Sequence, residues 1–147
     1  MRVKQILDGK GREIISIAVS ASICSAMEMM LDRNVAALLV MNGEELQGII
    51  SQKDMLKTCR LSENGPKGLT VKDLMTPAEK LITCTPDDPI EVLMTKMTEK
   101  RIRHLPVLHE KKVVGIISVG DVIKTLLDAS REDNKLLNDY ISGKYPS

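Results

Sequence analysis

The chain has 147 residues and a formal net charge of +1, with 28% of its residues charged. This near-neutral balance provides no basic field for non-specific binding of nucleic acid, and no apolar run approaches the about 20 residues that a membrane span needs. The sequence contains nine Met but no Phe or Trp. We therefore expect a core of aliphatic and thioether side chains, and a planar ligand could not be held by stacking on Phe or Trp.

The N-terminal sequence and the cysteines favour a reduced compartment. MRVKQILDGKG lacks the apolar core of a signal peptide, so the sequence predicts a cytoplasmic protein. Cys24, Cys59 and Cys84 are widely spaced, and the two histidines do not complete a metal-binding pattern with them. We expect three reduced structural thiols and no metal site.

The first half of the chain predicts an α/β unit. Residues 14–20 (IISIAVS) predict a short strand, and apolar residues at helical spacing over 23–30 predict a helix. Residues 36–51 contain AALLVM and LQGIIS around an Asn-Gly-Glu-Glu turn, which indicates a β-hairpin. Residues 54–59 (DMLKTC) predict a closing helix. The predicted order is β-α-β-β-α.

The second half repeats this order after a break. Residues 61–70 (LSENGPKGLT) carry Asn-Gly-Pro and a further Gly, which is typical of a linker. Residues 81–86 (LITCTP) predict a strand, and Asp87-Asp88-Pro89 precedes a helical pattern that starts at Ile90. A hairpin over 104–118 and a helix over 121–128 complete the second unit.

The two halves are related by an internal duplication. GIISQKD at Gly48 and GIISVGD at Gly115 lie 67 positions apart, and Met27 and Met94 match in the same register. One such unit is too small to bury both of its helices. We therefore predict two pseudo-symmetric repeats that pack as one module.

The predicted boundaries follow from the duplication. Repeat 1 spans 1–60, the linker 61–70, repeat 2 71–128 and a helical tail 129–147. The tail carries apolar residues at helical spacing, which predict a short amphipathic helix that docks on the module or on a second chain. These residues are Leu136, Leu137, Tyr140 and Ile141.

The duplicated Ser-x-x-Asp has two interpretations. Ser118 and Asp121 stand just ahead of an apolar helical run, where they are typical of a helix cap. The same helix N-terminus can hold a phosphate, and a carboxylate there can accept hydrogen bonds from both hydroxyls of a ribose. Arg103 and His104 precede this motif in the second half, where the first half has Ala36 and Ala37. This difference predicts that one cleft carries phosphate-binding charge and the other lacks it.

These motifs identify a family. The duplicated GIISxxD, the leading segment VKDLMTP and the run IRHLPVLHEKKVVGIISVGDVIKTL resemble a tandem pair of cystathionine β-synthase (CBS) domains. The resemblance implies a stand-alone regulatory module, usually a homodimer, that binds adenosyl compounds in clefts between its repeats. AMP is the ligand we expect first, and ADP, ATP, NAD and S-adenosylmethionine are the others. It implies no required cofactor.

The resemblance also implies the site residues of two clefts. Asp121 would hold the ribose and Ser118 the phosphate of the main cleft, and Asp8 stands where the second repeat has Thr76. The expected main-cleft residues are Ile14, Ile15, Arg103, His104, Pro106, Ser118 and Asp121. The expected second-cleft residues are Ser51, Asp54, Thr76, Leu81 and Ile82.

Other functions are weaker interpretations of the same residues. The sequence has no metalloprotease motif, no P-loop and no nucleophile elbow, so we predict that the protein is not an enzyme. A ligand-free dimerisation or adaptor module would use the duplicated motifs as caps alone and bind a protein partner through its helices. The charge balance and the scarcity of aromatic residues argue against nucleic acid.

Overall fold

The computed structural model describes residues 1–11 and 13–141; for residues 136–141 it describes the backbone and not the side chains. The helices are α1 (Val3–Lys10), α2 (Ile23–Arg33), α3 (Gln52–Met55), α4 (Thr58–Leu61), α5 (Val71–Leu74), α6 (Ile90–Lys100) and α7 (Val119–Ile141). The strands are β1 (Ser16–Ile17), β2 (Ala37–Asn42), β3 (Glu45–Ser51), β4 (Thr76–Pro77), β5 (His104–His109) and β6 (Lys112–Ser118). The predicted mixed α/β fold of two repeats with a C-terminal helix is confirmed.

The strands form two sheets with the same hairpin at the centre of each. The first sheet has the order β1-β2-β3-β4, and β5 and β6 form the second. β1 runs parallel to β2, whereas β2 and β3, and β3 and β4, are antiparallel. The hairpins share a register shift, between Val40 and Met41 in one and between Val107 and Leu108 in the other. The duplication in the sequence is thus a duplication of backbone geometry.

The two repeats exchange their leading helices. Val3 and Leu7 of α1 are fully buried in a cluster with residues of α6, β5 and β6. Val71 and Leu74 of α5 are buried in the cluster built on α2, β2 and β3. A third cluster joins Leu39 and Ile49 to residues of the second repeat, including Ile116. Each repeat therefore completes the core of the other.

Several elements differ from the sequence-based predictions. Of the strand predicted at 14–20, Ser16–Ile17 pairs with β2. Residues 81–86 make a single parallel bridge, between Cys84 and Val107, because their extended backbone meets β5 at one point. The helix predicted at 54–59 is divided into α3 and α4. The helix predicted at 121–128 continues through Ile141 as part of α7, so the tail is not a separate helix there. The prediction that the tail docks on the module or on a second chain concerns side chains that the structure does not describe.

Among the described residues, no helix combines the length and the hydropathy needed to span a bilayer.

A candidate ligand-binding cleft between the repeats

An open cleft of about 1460 Å³ lies between the two repeats. The N-terminal turns of α3 and α7 both contribute to its walls, through Ser51–Asp54 and Ser118–Gly120. Equivalent hydrogen bonds hold these turns: the Gln52 amide donates to the Ala36 carbonyl at 2.9 Å, and the Val119 amide donates to the Arg103 carbonyl at 3.0 Å. The duplicated motifs therefore face one shared space.

Asp54 is a buried carboxylate at the start of α3. It is 7% exposed, and its Oδ2 accepts from the Ser51 backbone N–H at 2.9 Å and from the Ser51 hydroxyl at 3.1 Å. Its Oδ1 lies 2.9 Å from Lys57 Nζ, one helical turn further along the chain. The carboxylate is therefore fixed at the cleft by a cap and an ion pair, an arrangement that suits an acceptor of hydroxyl hydrogen bonds.

Asp121 forms the equivalent cap at the start of α7. Its Oδ2 accepts from the Ser118 N–H at 2.9 Å, and its own N–H donates to Ser118 Oγ at 3.1 Å. Lys10 of the other repeat reaches the same Oδ2 at 2.6 Å and the Ile116 carbonyl at 2.7 Å. Burial acts to raise the pKa of Asp121, but the bonds from Lys10 and Ser118 outweigh it and hold the pKa below its ordinary value.

The cleft concentrates positive charge that the whole-chain balance conceals. Asp54 is its single carboxylate, against six cationic side chains among the lining residues the structure describes. Of these six side chains, Lys57 is paired with Asp54. The other five make no hydrogen bond or ion pair with the described residues. The six are Lys53, Lys57, Arg60, Lys80, Arg101 and Arg103. Such a wall favours an anionic ligand.

Arg101 has an unusual backbone conformation at this wall. It ends α6 with φ of 52°, in the left-handed region, where the equivalent residue after α2 is Asn34 with φ of 51°. Asn adopts this conformation at lower cost than Arg. This left-handed cap ends α6 and leaves Arg101 at the cleft.

His104 borders the cleft where β5 pairs with β6 opposite Ser118. Burial is the main reason that its pKa lies below the ordinary value of 6.5; Lys10 and Arg103 lower it further, while Asp121 opposes them. The imidazole is therefore neutral at pH 7 and can donate or accept a hydrogen bond.

The apolar part of the cleft comes from both repeats. Leu81 and Ile82 lie on its wall, and Thr76 of β4 stands beside them next to β3. Leu81 also packs against Leu39 and Ile49 in the cluster between the sheets. These aliphatic side chains offer a surface to a planar base.

Residues of both predicted clefts line one continuous cavity. Arg103, His104 and Ser118 line the same cavity as all five residues of the predicted second cleft, so the Asp54 side does not lack charge. The reason is that β5 begins at the cleft with His104, which pairs with Ser118 just before α7. The comparison of the two halves of the sequence had assigned Arg103 and His104 to the Ser118/Asp121 cleft alone.

Four other predicted main-cleft residues, Ile14, Ile15, Pro106 and Asp121, do not line this cavity. Ile14 and Ile15 line a smaller pocket of about 490 Å³ with residues of α2, including Glu28 and Arg33. Pro106 is buried in β5, and its carbonyl accepts from the Cys84 N–H at 3.1 Å. The structure therefore does not bring Ile14, Ile15 and Pro106 to the cleft with Ser118.

Several cleft residues were missed from the sequence. Lys57 had a signal, because Lys124 repeats it in the duplication. Arg101 has the neutral Asn34 as its counterpart, and the contact of Lys10 with Asp121 joins residues 111 positions apart. Their roles depend on tertiary contacts that no local pattern encodes.

The cysteines are split between surface and core. Cys24 and Cys59 are exposed, whereas Cys84 is buried and burial, with Asp88 nearby, raises the pKa of its thiol to about 12. No group of three metal-ligating side chains occurs among the residues that the structure describes.

Comparisons with known proteins agree with this architecture. The family model for the CBS domain matches residues 3–60 and 71–128. The mitochondrial CBS domain-containing protein CBSX3 of Arabidopsis thaliana is 39% identical over 127 residues, which are 84% of this chain and 62% of that protein. The chain thus spans less than two thirds of the length of this relative.

Two solved structures extend the comparison. A crystal structure of a CBS domain is 36% identical, with a TM-score of 0.80 over 86% of this chain and 98% of that one. A CBS domain pair solved with 5′-methylthioadenosine and S-adenosyl-L-methionine is 27% identical, with a TM-score of 0.73 over 86% and 99% of the two chains. With both repeats matched by the family model and by solved pairs, this chain belongs to the CBS-domain family as a tandem CBS pair.

Proposed function

We propose that this chain is a regulatory module that binds an adenosine nucleotide in the cleft between its repeats, with Asp54 as the acceptor of the ribose hydroxyls. The observation that carries the proposal is the convergence on one cleft of a fixed carboxylate, an aliphatic wall and unpaired cations. The related CBS pair solved with two adenosyl compounds supports this ligand class.

Each part of the ligand has a proposed contact. The adenine packs against Leu81 and Ile82, and the ribose diol donates to Asp54. The phosphate lies near Thr76 and Arg103, where a hydroxyl and a guanidinium favour an anion. A phosphorylated ligand such as AMP therefore suits the cleft better than adenosine does.

The module acts, in this proposal, by changing the geometry of a homodimer that a partner protein recognises. The ligand contacts both repeats, so binding would favour one arrangement of the two over others. The adaptor function remains the alternative, and the exposed leucines Leu56 and Leu61, at 76% and 52% exposure, are the feature that favours it.

Asp54→Ala tests the site. We expect the affinity for AMP, measured by titration calorimetry, to fall by about 1.5–3 kcal/mol through loss of a hydrogen-bond acceptor that is charged. The affinity of the wild-type protein should fall by a similar amount when 2′-deoxy-AMP replaces AMP. The affinity of the variant should change little between the two ligands. Asp54→Asn, which keeps the cap, repeats the test if the first variant is unstable.

Asp73→Ala is the matched control. Asp73 forms the same cap, accepting from the Thr70 N–H at 2.8 Å and from the Thr70 hydroxyl at 3.1 Å, but it lies outside the cleft. The Asp73→Ala variant should bind AMP with the same affinity as the wild-type protein. No stabilisation of the wild type by AMP or by any other adenosyl compound in a melting series would reject the proposal and favour the adaptor function.

A further inference from the structure

The two duplicated carboxylates are paired with different cations. Asp54 is paired with Lys57, which lies in the turn between α3 and α4 and also donates to the Leu74 carbonyl at 3.3 Å. Asp121 is paired with Lys10, which comes from the other repeat and also donates to the Ile116 carbonyl. Asp54 lines the cleft beside its lysine, whereas Asp121, under Lys10, is not among the cleft-lining residues, so the two repeats are not equivalent at this position.

The lengths of the leading helices explain this difference. α5 ends at Leu74, and the next residues form β4, which pairs with β3 at Gly48 and Ile49. α1 continues to Lys10 and forms no strand beside β6 among the described residues. The additional turn carries an ammonium group to the edge of β6, so that a lysine lies where a strand lies in the other repeat.

The contacts of Lys10 compete directly with a ribose. Asp121 Oδ2 accepts from Ser118 N–H and from the ammonium, and the ammonium is also held by a carbonyl. The two bonds of Lys10, at 2.6 and 2.7 Å, are shorter than the equivalent bonds of Lys57, at 2.9 and 3.3 Å. A ribose hydroxyl, which is a neutral donor, therefore replaces Lys10 at Asp121 less readily than it approaches Asp54 beside Lys57. The nucleoside would also have to move the Lys10 side chain away from two partners.

We infer that Lys10 is an internal occupant that closes the Asp121 side of the cleft, so that the module binds one nucleotide per chain, at Asp54. This inference rests on the proposed function, since it concerns which of the two carboxylates receives a ribose. Lys10 thereby sets the stoichiometry of the module. Removing the ammonium leaves a carboxylate beside Ser118, which already faces the cleft, and opens a second position for a nucleotide.

Titration calorimetry of the full chain with AMP tests the inference. Wild-type protein should bind one AMP per chain, and Lys10→Met should bind two. Lys10→Gln serves as a second neutral variant. Adding Asp121→Asn to Lys10→Met should return the stoichiometry to one.

Lys112→Met is the matched control. Lys112 lies 3.6 Å from Glu44 at the far end of the β5–β6 hairpin, so this variant removes an equal charge and an exposed ion pair. It should bind one AMP. One AMP per chain in wild type, Lys10→Met and Lys10→Gln alike would overturn the inference and leave the proposed function intact, as would two per chain in the wild type. Absence of binding in every variant would overturn both.

Discussion

At the scale of the residue, one local motif serves different purposes. Ser51–Asp54, Thr70–Asp73 and Ser118–Asp121 all place a carboxylate oxygen within 2.9 Å of the N–H three residues earlier. The sequence predicts the caps at Ser51 and Ser118 because the pattern is local, whereas the cap at Thr70 follows the same pattern but was not predicted. It does not distinguish the carboxylate that faces a cleft, the one on the surface and the one paired with Lys10, because those differences come from the other repeat.

His104 gives the chain a pH-dependent stability with a definite sign. Its pKa in the folded state is lowered, chiefly by burial, so the unfolded chain takes up a proton at higher pH than the folded chain. The free energy of unfolding is therefore fully retained above the ordinary pKa of 6.5 and falls as the pH drops below it. Asp121, whose folded pKa is also lowered, loses its contribution only as the pH falls below about its ordinary 3.8.

Denaturant unfolding at pH 7.5 and at pH 5.5 measures the His104 effect. Wild-type protein should be less stable at the lower pH, and His104→Gln should reduce that difference. His109→Gln is the matched control, since this side chain is 60% exposed, and it should preserve the difference. An unchanged difference in His104→Gln would mean that the imidazole is not the group responsible.

At the scale of the element, hydrophobic periodicity predicted the hairpins and the longer helices but not the leading helices. α5 has four residues and no room for a periodic pattern, although its Thr-x-x-Asp cap was available as a signal. The extended segments 14–20 and 81–86 were predicted as strands because they are apolar. In the structure they touch a hairpin at one or two residues, so their burial depends on packing more than on a ladder of hydrogen bonds.

The two duplicated glycines have different neighbours and give a matched pair of variants. A Cβ at Gly48 would lie 2.3 Å from the Thr76 carbonyl oxygen, which belongs to the backbone of β4. A Cβ at Gly115 would lie 2.7 Å from Leu7 Cδ2, the end of a side chain that can rotate. We expect Gly48→Ala to destabilise the protein by about 1–3 kcal/mol, and Gly115→Ala by less.

Urea unfolding of the two variants measures this difference, and the slope of each transition shows whether the folded state remains compact. Gly48→Ala should also weaken AMP binding, because β4 carries Thr76 at the cleft. Equal losses of stability in the two variants would mean that β4 moves as easily as the Leu7 side chain.

At the scale of the whole molecule, the duplication predicted two units that share a core, and the clusters that join them agree. The exchange of the leading helices was beyond the sequence, since an apolar residue indicates burial without indicating its partner. The charge of the cleft was hidden for a similar reason. A net charge of +1 results from adding all residues, whereas the fold gathers six cationic residues around one cleft.

The exchange makes each half dependent on the other. Residues 1–65 lack Val71 and Leu74, and residues 66–147 lack Val3 and Leu7, all of which are at most 1% exposed in the intact chain. Burying one such side chain contributes about 1.5–3 kcal/mol, and a whole domain is stable by about 5–15 kcal/mol. The loss of each helix therefore removes a large fraction of the stability that a half could have.

We predict that neither 1–65 nor 66–147 folds alone and that an equimolar mixture of the two does. Thermal unfolding followed by circular dichroism should show no cooperative transition for either half, and a cooperative, concentration-dependent one for the mixture, because each half supplies the helix that completes the other. Intact protein cleaved within the linker after folding is the control, and it should melt like the mixture. A cooperative melt of a single half at low concentration would show that the shared core is not required, and the exchanged helices would then serve the cleft more than the fold.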